Sequence, residues 1–209
     1  MACSIPVRSP LFSSPRIDGC DLLELRLDYL RDGHEEVIRR HAGLPAIITI
    51  RDPGEGGVNP VAPAVKERLL KLALDLGLMI DAELSFLHDH PLGPHGVIAS
   101  RHVFRGRLSW RLAWGDYGLV KSMGYSIYKV ASADSRDVPI MARLLMSAGD
   151  VRVAAMVMGS KRARAALAML GSAILYCSVG EPTANGQLTI EECRGLLELI
   201  RALGTKNKA

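Results

Sequence analysis

The chain has 209 residues, of which 48% are hydrophobic and 23% are charged, and its formal net charge is +4. This composition is that of a folded globular protein, and we expect a single domain over residues 1–209. The first residues do not resemble a signal peptide and no apolar run reaches about eighteen residues, so we expect no membrane association.

The positive net charge fits either a nucleic-acid partner or a small anionic substrate. A binder of nucleic acid would carry basic residues along one face with aromatic residues between them. Aromatic residues make up only 5% of this chain. We therefore expect no nucleic-acid partner.

Eight short apolar segments are predicted to be β-strands, because their residues favour pleated and buried backbone. In chain order they are residues 2–7, 21–28, 46–50, 78–83, 96–100, 126–131, 151–157 and 173–176. Helical patterns lie between most of these strands and after the last one. They cover residues 35–41, 63–76, 110–123, 134–148, 162–170 and 189–203.

The alternation of strands and helices predicts an α/β fold, a compact (β/α)₈ TIM barrel, with a doubly wound open sheet as the alternative. The active sites of such barrels lie where the strands end and the following loops begin. Polar side chains of this chain occur at those positions. They are Glu24, Arg26, Arg51, Glu55, Glu83, His102, Lys129, Thr183 and Gln187.

Lys129 lies in the middle of the sixth predicted strand, inside an apolar run. Burying an ammonium without a partner is costly, so a lysine in such a place tends to lose its proton. A neutral amine can attack a ketone or an aldehyde and form a Schiff base. The alternative is a lysine near a strand end that extends its charge into water.

His102 directly follows the fifth predicted strand. Histidine is the usual general acid and base in catalysis, because it titrates near neutral pH. Taken alone, a histidine here is more often a surface residue or one whose hydrogen bonds are satisfied within the fold. Opposite Lys129, however, the pair suits a Schiff-base lysine with a proton shuttle, and Glu55 could orient the imidazole.

Three charged residues, Glu24, Arg26 and Asp28, alternate along the second predicted strand and therefore point the same way. They suit either hydrogen bonds to a polyhydroxylated substrate or an internal network of salt bridges, and the two are compatible.

A basic segment, residues 161–164, follows the seventh predicted strand. Such a segment is usually a solvated charge run, but its place after the strand suggests an anion clamp, since arginine binds carboxylates through two hydrogen bonds.

The four cysteines, Cys3, Cys20, Cys177 and Cys193, are scattered and form no Cys-x-x-Cys pair. This spacing predicts small buried apolar side chains rather than zinc ligands or a disulfide framework. Unlinked cysteines fit a cytoplasmic protein.

These residues together resemble the type I 3-dehydroquinate dehydratases. The resemblance runs in the family's order over nearly the whole chain. The matching stretches are residues 21–28, Thr49-Ile50-Arg51 with Glu55-Gly56-Gly57, Asp81-Ala82-Glu83, Ser100-Arg101-His102-Val103-Phe104, Tyr128-Lys129-Val130-Ala131, Met158-Gly159, Gly171-Ser172 and Gly186-Gln187.

The resemblance implies a lyase of the shikimate pathway of aromatic amino-acid biosynthesis, which removes water from 3-dehydroquinate to give 3-dehydroshikimate. It implies that Lys129 forms a Schiff base with the substrate ketone, and that His102, beside Glu55, moves the proton. The same match assigns the ring hydroxyls to Glu24, Arg26 and Arg51, and the carboxylate to Arg164, Thr183 and Gln187.

The resemblance also implies a homodimer in the cytoplasm, with no metal and no diffusible cofactor. The extra N-terminal hairpin of longer relatives is absent from the pattern. The chain departs from the family at Val103, Arg105 and Asn185, and a shorter segment after residue 159 makes Arg162 the alternative to Arg164.

A class I aldolase or transaldolase, which is also a Schiff-base barrel, is the competing function, and it would need a phosphate site.

Overall fold

The structure, a computed structural model, describes residues 1–14 and 17–205. Nine strands occur in these ranges. They are β1 (Ala2–Pro6), β2 (Leu22–Arg26), β3 (Ala46–Thr49), β4 (Met79–Glu83), β5 (Val97–Val103), β6 (Ile127–Ser132), β7 (Arg152–Val157), β8 (Tyr176–Ser178) and β9 (Leu188–Thr189).

Seven α-helices occur in the same part of the chain. They are α1 (His34–Arg40), α2 (Pro63–Asp75), α3 (Leu84–Asp89), α4 (Trp110–Ser122), α5 (Val138–Ser147), α6 (Lys161–Met169) and α7 (Ile190–Thr205). Short 3-10 helices at Leu27–Tyr29, Pro53–Glu55 and Ser135–Asp137 follow β2, β3 and β6. No helix within the described ranges is long and apolar enough to cross a membrane.

The strands form a curled parallel sheet in barrel order. Each strand from β1 to β6 pairs with the next, β8 pairs with β1, and β9 pairs with β8. The gap between β7 and β8 is bridged by the segment before β8, where the N–H of Ala173 donates to the carbonyl of Val153 at 2.8 Å. The predicted α/β barrel is confirmed, and the doubly wound alternative is wrong because its strand order would reverse.

Both faces of the sheet are covered, which is typical of parallel sheets. Alternate residues of a strand point to opposite faces. Ile47, Ile98 and Ile127 pack with Tyr176 inside the barrel, whereas outward residues such as Ile48 pack with the helices. The C-terminal ends of the strands are therefore the place where polar side chains can converge.

The predicted boundaries differ from the structure in three places that affect the site. β5 continues through Val103, so His102 lies inside a strand rather than after it. β8 begins at Tyr176, where the predicted strand ended, and Ala173 before it bonds instead to Val153 of β7. The sequence did not predict α3 or β9, which are short elements without a clear periodic pattern.

The cysteines form two disulfides, Cys3–Cys20 and Cys177–Cys193, which corrects the expectation of unlinked thiols. Their Cα atoms are 5.9 and 6.4 Å apart, within the range that disulfides require. Spacing along the chain could not predict them, because the barrel brings the partners together. The cysteines therefore give no support to a cytoplasmic location.

Candidate active site

The C-terminal ends of the strands surround a cavity that opens to solvent. All nine side chains that the sequence assigned to the site line this cavity. They are Glu24, Arg26, Arg51, Glu55, His102, Lys129, Arg164, Thr183 and Gln187. Residues that lie far apart along the chain thus meet in one place.

Lys129 points from β6 into the barrel, and only 4% of the residue is exposed. Its Nζ donates to Oδ2 of Asp81 at 2.6 Å and to Oε1 of Glu24 at 3.4 Å. The expectation of an amine without a partner is therefore wrong, and so is the alternative of a side chain that reaches water. Two carboxylates hold the nitrogen at the wall of the cavity.

The two carboxylates beside Lys129 remain ionised at neutral pH. Burial raises the pKa of Glu24, but the charges of Lys129 and Arg26 outweigh burial, so the pKa lies below its usual value. Burial also acts on Asp81, where Arg51 and Lys129 outweigh it and hold the pKa well below the usual range. The hydroxyls of Ser4 and Thr49 donate further hydrogen bonds to Glu24.

Arg51 follows β3 and is engaged mainly with protein groups. Its Nη1 donates to Oε1 of Glu83 and to Oγ of Ser100, both at 2.8 Å, and its Nη2 donates to Oδ1 of Asp81 at 2.6 Å. Glu83 also accepts from Nζ of Lys66, which is buried on α2, at 2.5 Å. Every buried charge in this chain of contacts has a partner of opposite sign, as buried charges require.

Arg26 is also held by a neighbouring carboxylate. Its Nε and Nη2 donate to the two oxygens of Asp28 at 2.7 and 2.8 Å. Of the internal network that the sequence allowed for Glu24, Arg26 and Asp28, the pair of Arg26 with Asp28 is present, whereas Glu24 pairs with Lys129. These pairs do not exclude substrate contacts, because Arg26 and Glu24 line the cavity.

His102 and Glu55 form a closely coupled pair on β5 and on the 3-10 helix after β3. Oε2 of Glu55 lies 3.0 Å from Nδ1 of His102 and accepts its backbone N–H at 2.9 Å. Burial and the charges of Arg51 and Lys129 hold the pKa of His102 well below its usual value. The imidazole is therefore neutral, and when Nδ1 carries the proton, Nε2 is free to act as a base.

Glu55 itself titrates close to neutral pH. Burial raises the pKa of Glu55 to about 7, although Arg51 opposes the shift. A carboxylate whose charge changes in this range can stabilise an imidazolium that forms during a reaction.

Arg164 is a buried cation that faces the cavity without a carboxylate partner among the described residues. Its Nη2 lies 3.5 Å from the carbonyl of Asn185, its Nη1 lies 3.7 Å from the sulfur of Met156, and its Nε has no hydrogen-bond partner. Burial lowers the pKa of Arg164 to about 10. An unpaired buried guanidinium is costly, so it indicates an anion site.

The remaining basic residues of the predicted anion clamp do not join Arg164. Lys161 is half exposed and pairs with Glu192 at 2.6 Å, and Arg162 is exposed. Thr183 and Gln187 line the same cavity as Arg164, and Oε1 of Gln187 accepts the backbone N–H of Thr183 at 3.0 Å.

Two residues next to Lys129 were not among the predicted site residues. Asp81 lies inside β4, and its alternation with Glu83 could have placed it on the inward face. Tyr176 lies on β8, and its ring centroid is 4.1 Å from Nζ of Lys129. Nothing in the sequence marked this tyrosine, because a tyrosine in an apolar strand is ordinary packing.

Across the described ranges, no group of three or more His, Cys, Asp or Glu side chains is arranged to hold a metal ion. The site combines the buried amine of Lys129, the neutral imidazole of His102 with the carboxylate of Glu55 beside it, and the guanidinium of Arg164, which has no carboxylate partner among the described residues. This set of groups suits nucleophilic attack on a carbonyl, proton transfer and the binding of an anion.

Comparisons with known proteins agree on one family. Residues 14–203 match the family model described as type I 3-dehydroquinase. The 3-dehydroquinate dehydratase of Ignicoccus hospitalis is 34% identical over 202 residues, which cover 89% of this chain and 86% of that protein. The enzyme of the same name from Metallosphaera sedula is 31% identical over 209 residues, with coverage of 96% and 97%.

A solved structure supports the fold. The crystal structure of 3-dehydroquinate dehydratase from Geobacillus kaustophilus matches with a TM-score of 0.77 and 23% identity, over 96% of this chain and 91% of that chain. By its sequence, the chain belongs to the type I 3-dehydroquinase family.

Proposed function

We propose that this chain dehydrates 3-dehydroquinate to 3-dehydroshikimate through a Schiff base on Lys129, with His102 as general acid and base. Membership of the family makes the chain a type I 3-dehydroquinate dehydratase, a hydro-lyase of the shikimate pathway. The observation that carries the proposed mechanism is that a buried amine and a neutral, carboxylate-backed imidazole line the same cavity.

The reaction begins when Nζ of Lys129 attacks the ketone carbon. The carbonyl oxygen leaves as water, and a protonated imine remains. The positive nitrogen draws electrons from the neighbouring carbon, so its C–H becomes acidic enough for Nε2 of His102 to remove the proton.

The resulting imidazolium then returns its proton to the hydroxyl that departs from the next carbon. That hydroxyl leaves as water and a double bond forms. Hydrolysis of the imine releases the product and restores the amine. Glu55 would stabilise the imidazolium between the two proton transfers, because its oxygen lies 3.0 Å from Nδ1.

The remaining residues would hold the substrate. We propose that Arg164 binds the carboxylate with Thr183 and Gln187, because Arg164 is the buried cation that lacks a carboxylate partner. Glu24, Arg26 and Arg51 would contact the ring hydroxyls. Of these three, Arg51 already donates hydrogen bonds to Asp81, Glu83 and Ser100, which leaves fewer of its N–H groups for a substrate.

The decisive experiment combines a turnover assay with trapping of the imine. We expect the wild-type protein to convert 3-dehydroquinate to a product with the ultraviolet absorbance of a conjugated enone. Sodium borohydride added with the substrate should inactivate the enzyme, raise its mass by one ligand and modify the peptide that contains Lys129. The Lys129→Ala variant should show neither adduct nor turnover.

Two exposed lysines serve as controls. Lys121 and Lys161 pair with Asp150 and Glu192 at the surface, and they should remain unmodified. Full activity of Lys129→Ala, or turnover without an adduct in the wild type, would overturn the mechanism. Cleavage of phosphorylated sugars in place of dehydration would favour the aldolase alternative.

We also propose that the protein works as a homodimer in the cytoplasm, where a biosynthetic enzyme of this family would meet its substrate. Light scattering during size-exclusion chromatography measures the oligomer directly. A mass of one chain, about 22.6 kDa, would contradict the dimer.

A further inference from the structure

Tyr176 provides an aromatic wall beside the nitrogen of Lys129. It begins β8 and points into the barrel, where 4% of the residue is exposed. The Nζ of Lys129 lies 4.1 Å from the centroid of its ring. The nitrogen thus contacts three groups: Asp81, Glu24 and this ring.

The ring, and not the hydroxyl, is the part of Tyr176 that faces the chemistry. Tyr176 lines the cavity and its ring lies against the nitrogen of Lys129, whereas the hydroxyl oxygen is shielded from solvent and has no hydrogen-bond partner within the described ranges. Burial raises the pKa of Tyr176 well above its usual value, so the phenol stays neutral. A ligand in the cavity would meet the aromatic face.

We propose that the aromatic face of Tyr176 stabilises the positive charge on the Lys129 nitrogen in the protonated imine, and thereby sets the upper pH limit of turnover. This inference rests on the proposed Schiff-base function. An aromatic face attracts a cation through its quadrupole, and the attraction strengthens where water is excluded. Tyr176 would therefore be a direct contact of the reacting nitrogen.

The charge balance of the reaction shows where the ring acts. Condensation of the ammonium with the ketone expels the ketone oxygen with two of the three ammonium protons as water, and one positive charge stays on the nitrogen. Only this protonated imine acidifies the neighbouring C–H. When the imine loses its last N–H proton at high pH, turnover stops. An aromatic ring that stabilises the charged imine shifts this loss to a higher pH.

Other charged or titratable groups also face this nitrogen or its cavity. They are Glu24 and Arg26 on β2, Arg51 and Glu55 after β3, Asp81 on β4, His102 on β5 and Arg164 on α6. Their contributions are the same in every variant of Tyr176. A series of substitutions at this one position therefore isolates the effect of the ring.

The test measures the pH dependence of kcat, which reports groups in the substrate-bound enzyme. In Tyr176→Leu we expect the alkaline limb to move down by about one pH unit, which is the size of a desolvated cation–π contact. Tyr176→Phe keeps the ring and should keep the alkaline limb of the wild type. Trifluorophenylalanine at this position keeps the shape but weakens the quadrupole, so its limb should lie between the two.

Each outcome decides the proposal. An unmoved alkaline limb in Tyr176→Leu overturns it, and so does an equal shift in Tyr176→Phe, which would assign the effect to the hydroxyl. If the leucine variant does not fold, the nearly isosteric fluorinated variant decides, since a limb identical to that of phenylalanine overturns the role of the ring. Borohydride trapping in the wild type separates the two failures. A missing adduct refutes the proposed function and this inference with it, whereas a trapped adduct with an unmoved alkaline limb in Tyr176→Leu refutes this inference alone.

Discussion

Oε2 of Glu55 contacts His102 twice, at Nδ1 at 3.0 Å and at the backbone N–H at 2.9 Å. One carboxylate oxygen thereby fixes both the position of the strand residue and the orientation of its ring. Because the contact occupies Nδ1, it leaves Nε2 as the nitrogen that can take a proton from the substrate.

This pair predicts the acid limb of the pH profile. The pKa of Glu55 is raised to about 7 by burial, and the pKa of His102 is held well below its usual value. As the pH falls through about 7, Glu55 therefore gains a proton while His102 stays neutral. We expect kcat to fall in this range, because a neutral Glu55 stabilises the imidazolium less.

Glu55→Gln removes this titration and supplies the control. Its kcat should be low, by roughly 10- to 100-fold, part of what general acid–base catalysis contributes, and should show no limb near pH 7. An acid limb that stays at the wild-type pH in this variant would assign the titration to another group.

We expect Arg164 to lower the stability of the protein without ligand and to strengthen the binding of the substrate. Burial lowers the pKa of Arg164 to about 10, so its charge at neutral pH destabilises the empty protein. We expect Arg164→Met to raise the free energy of unfolding by roughly 1–3 kcal/mol and to raise KM about 100-fold, the scale of a lost charge-assisted hydrogen bond.

The matched control is Arg162→Met on the same helix. Arg162 is exposed, so this substitution should change the free energy of unfolding by less than about 0.5 kcal/mol and leave KM unchanged. Urea unfolding without ligand and initial-rate kinetics measure both quantities. A rise in KM for Arg162→Met with none for Arg164→Met would reverse the assignment of the carboxylate site.

We expect the stability of the fold to depend on Lys66, which lies outside the cavity. Its side chain is buried, and Nζ contacts Glu83 at 2.5 Å and Asp52 at 2.9 Å. Lys66→Met leaves the buried carboxylate of Glu83 with one partner fewer, and we expect a loss of about 3–5 kcal/mol in the free energy of unfolding. Lys71→Met, which removes an exposed pair with Glu67, should cost less than about 1 kcal/mol. Equal losses in urea unfolding would contradict the buried network.

The disulfides predict a stability that depends on redox conditions. Cys3–Cys20 and Cys177–Cys193 span 17 and 16 residues, and closing loops of this size contributes about 3 kcal/mol each. We expect a reductant to lower the melting temperature, and each double cysteine-to-alanine variant to show part of this loss. Alkylation of all four thiols in the native, unreduced protein would show that the bonds do not form.

The sequence alone predicted most of the residues of the site, because the functional groups of a barrel lie at the ends of its strands. Lys129 and His102 each stood out against an apolar strand, and the family motifs placed Glu24, Arg164 and Gln187. The structure confirms the barrel and brings all these side chains to one cavity. Their catalytic and binding roles remain predictions that the variants above test.

The partners of those groups depended on the tertiary structure alone. The sequence predicted an unpaired amine at Lys129, yet Asp81, Glu24 and the ring of Tyr176 surround it. The disulfides were likewise missed. Periodicity along one strand reports which face a side chain occupies, but not what the neighbouring strands place opposite it. Contacts between distant strands arise only when the barrel closes, and these contacts determine the charge of each buried group.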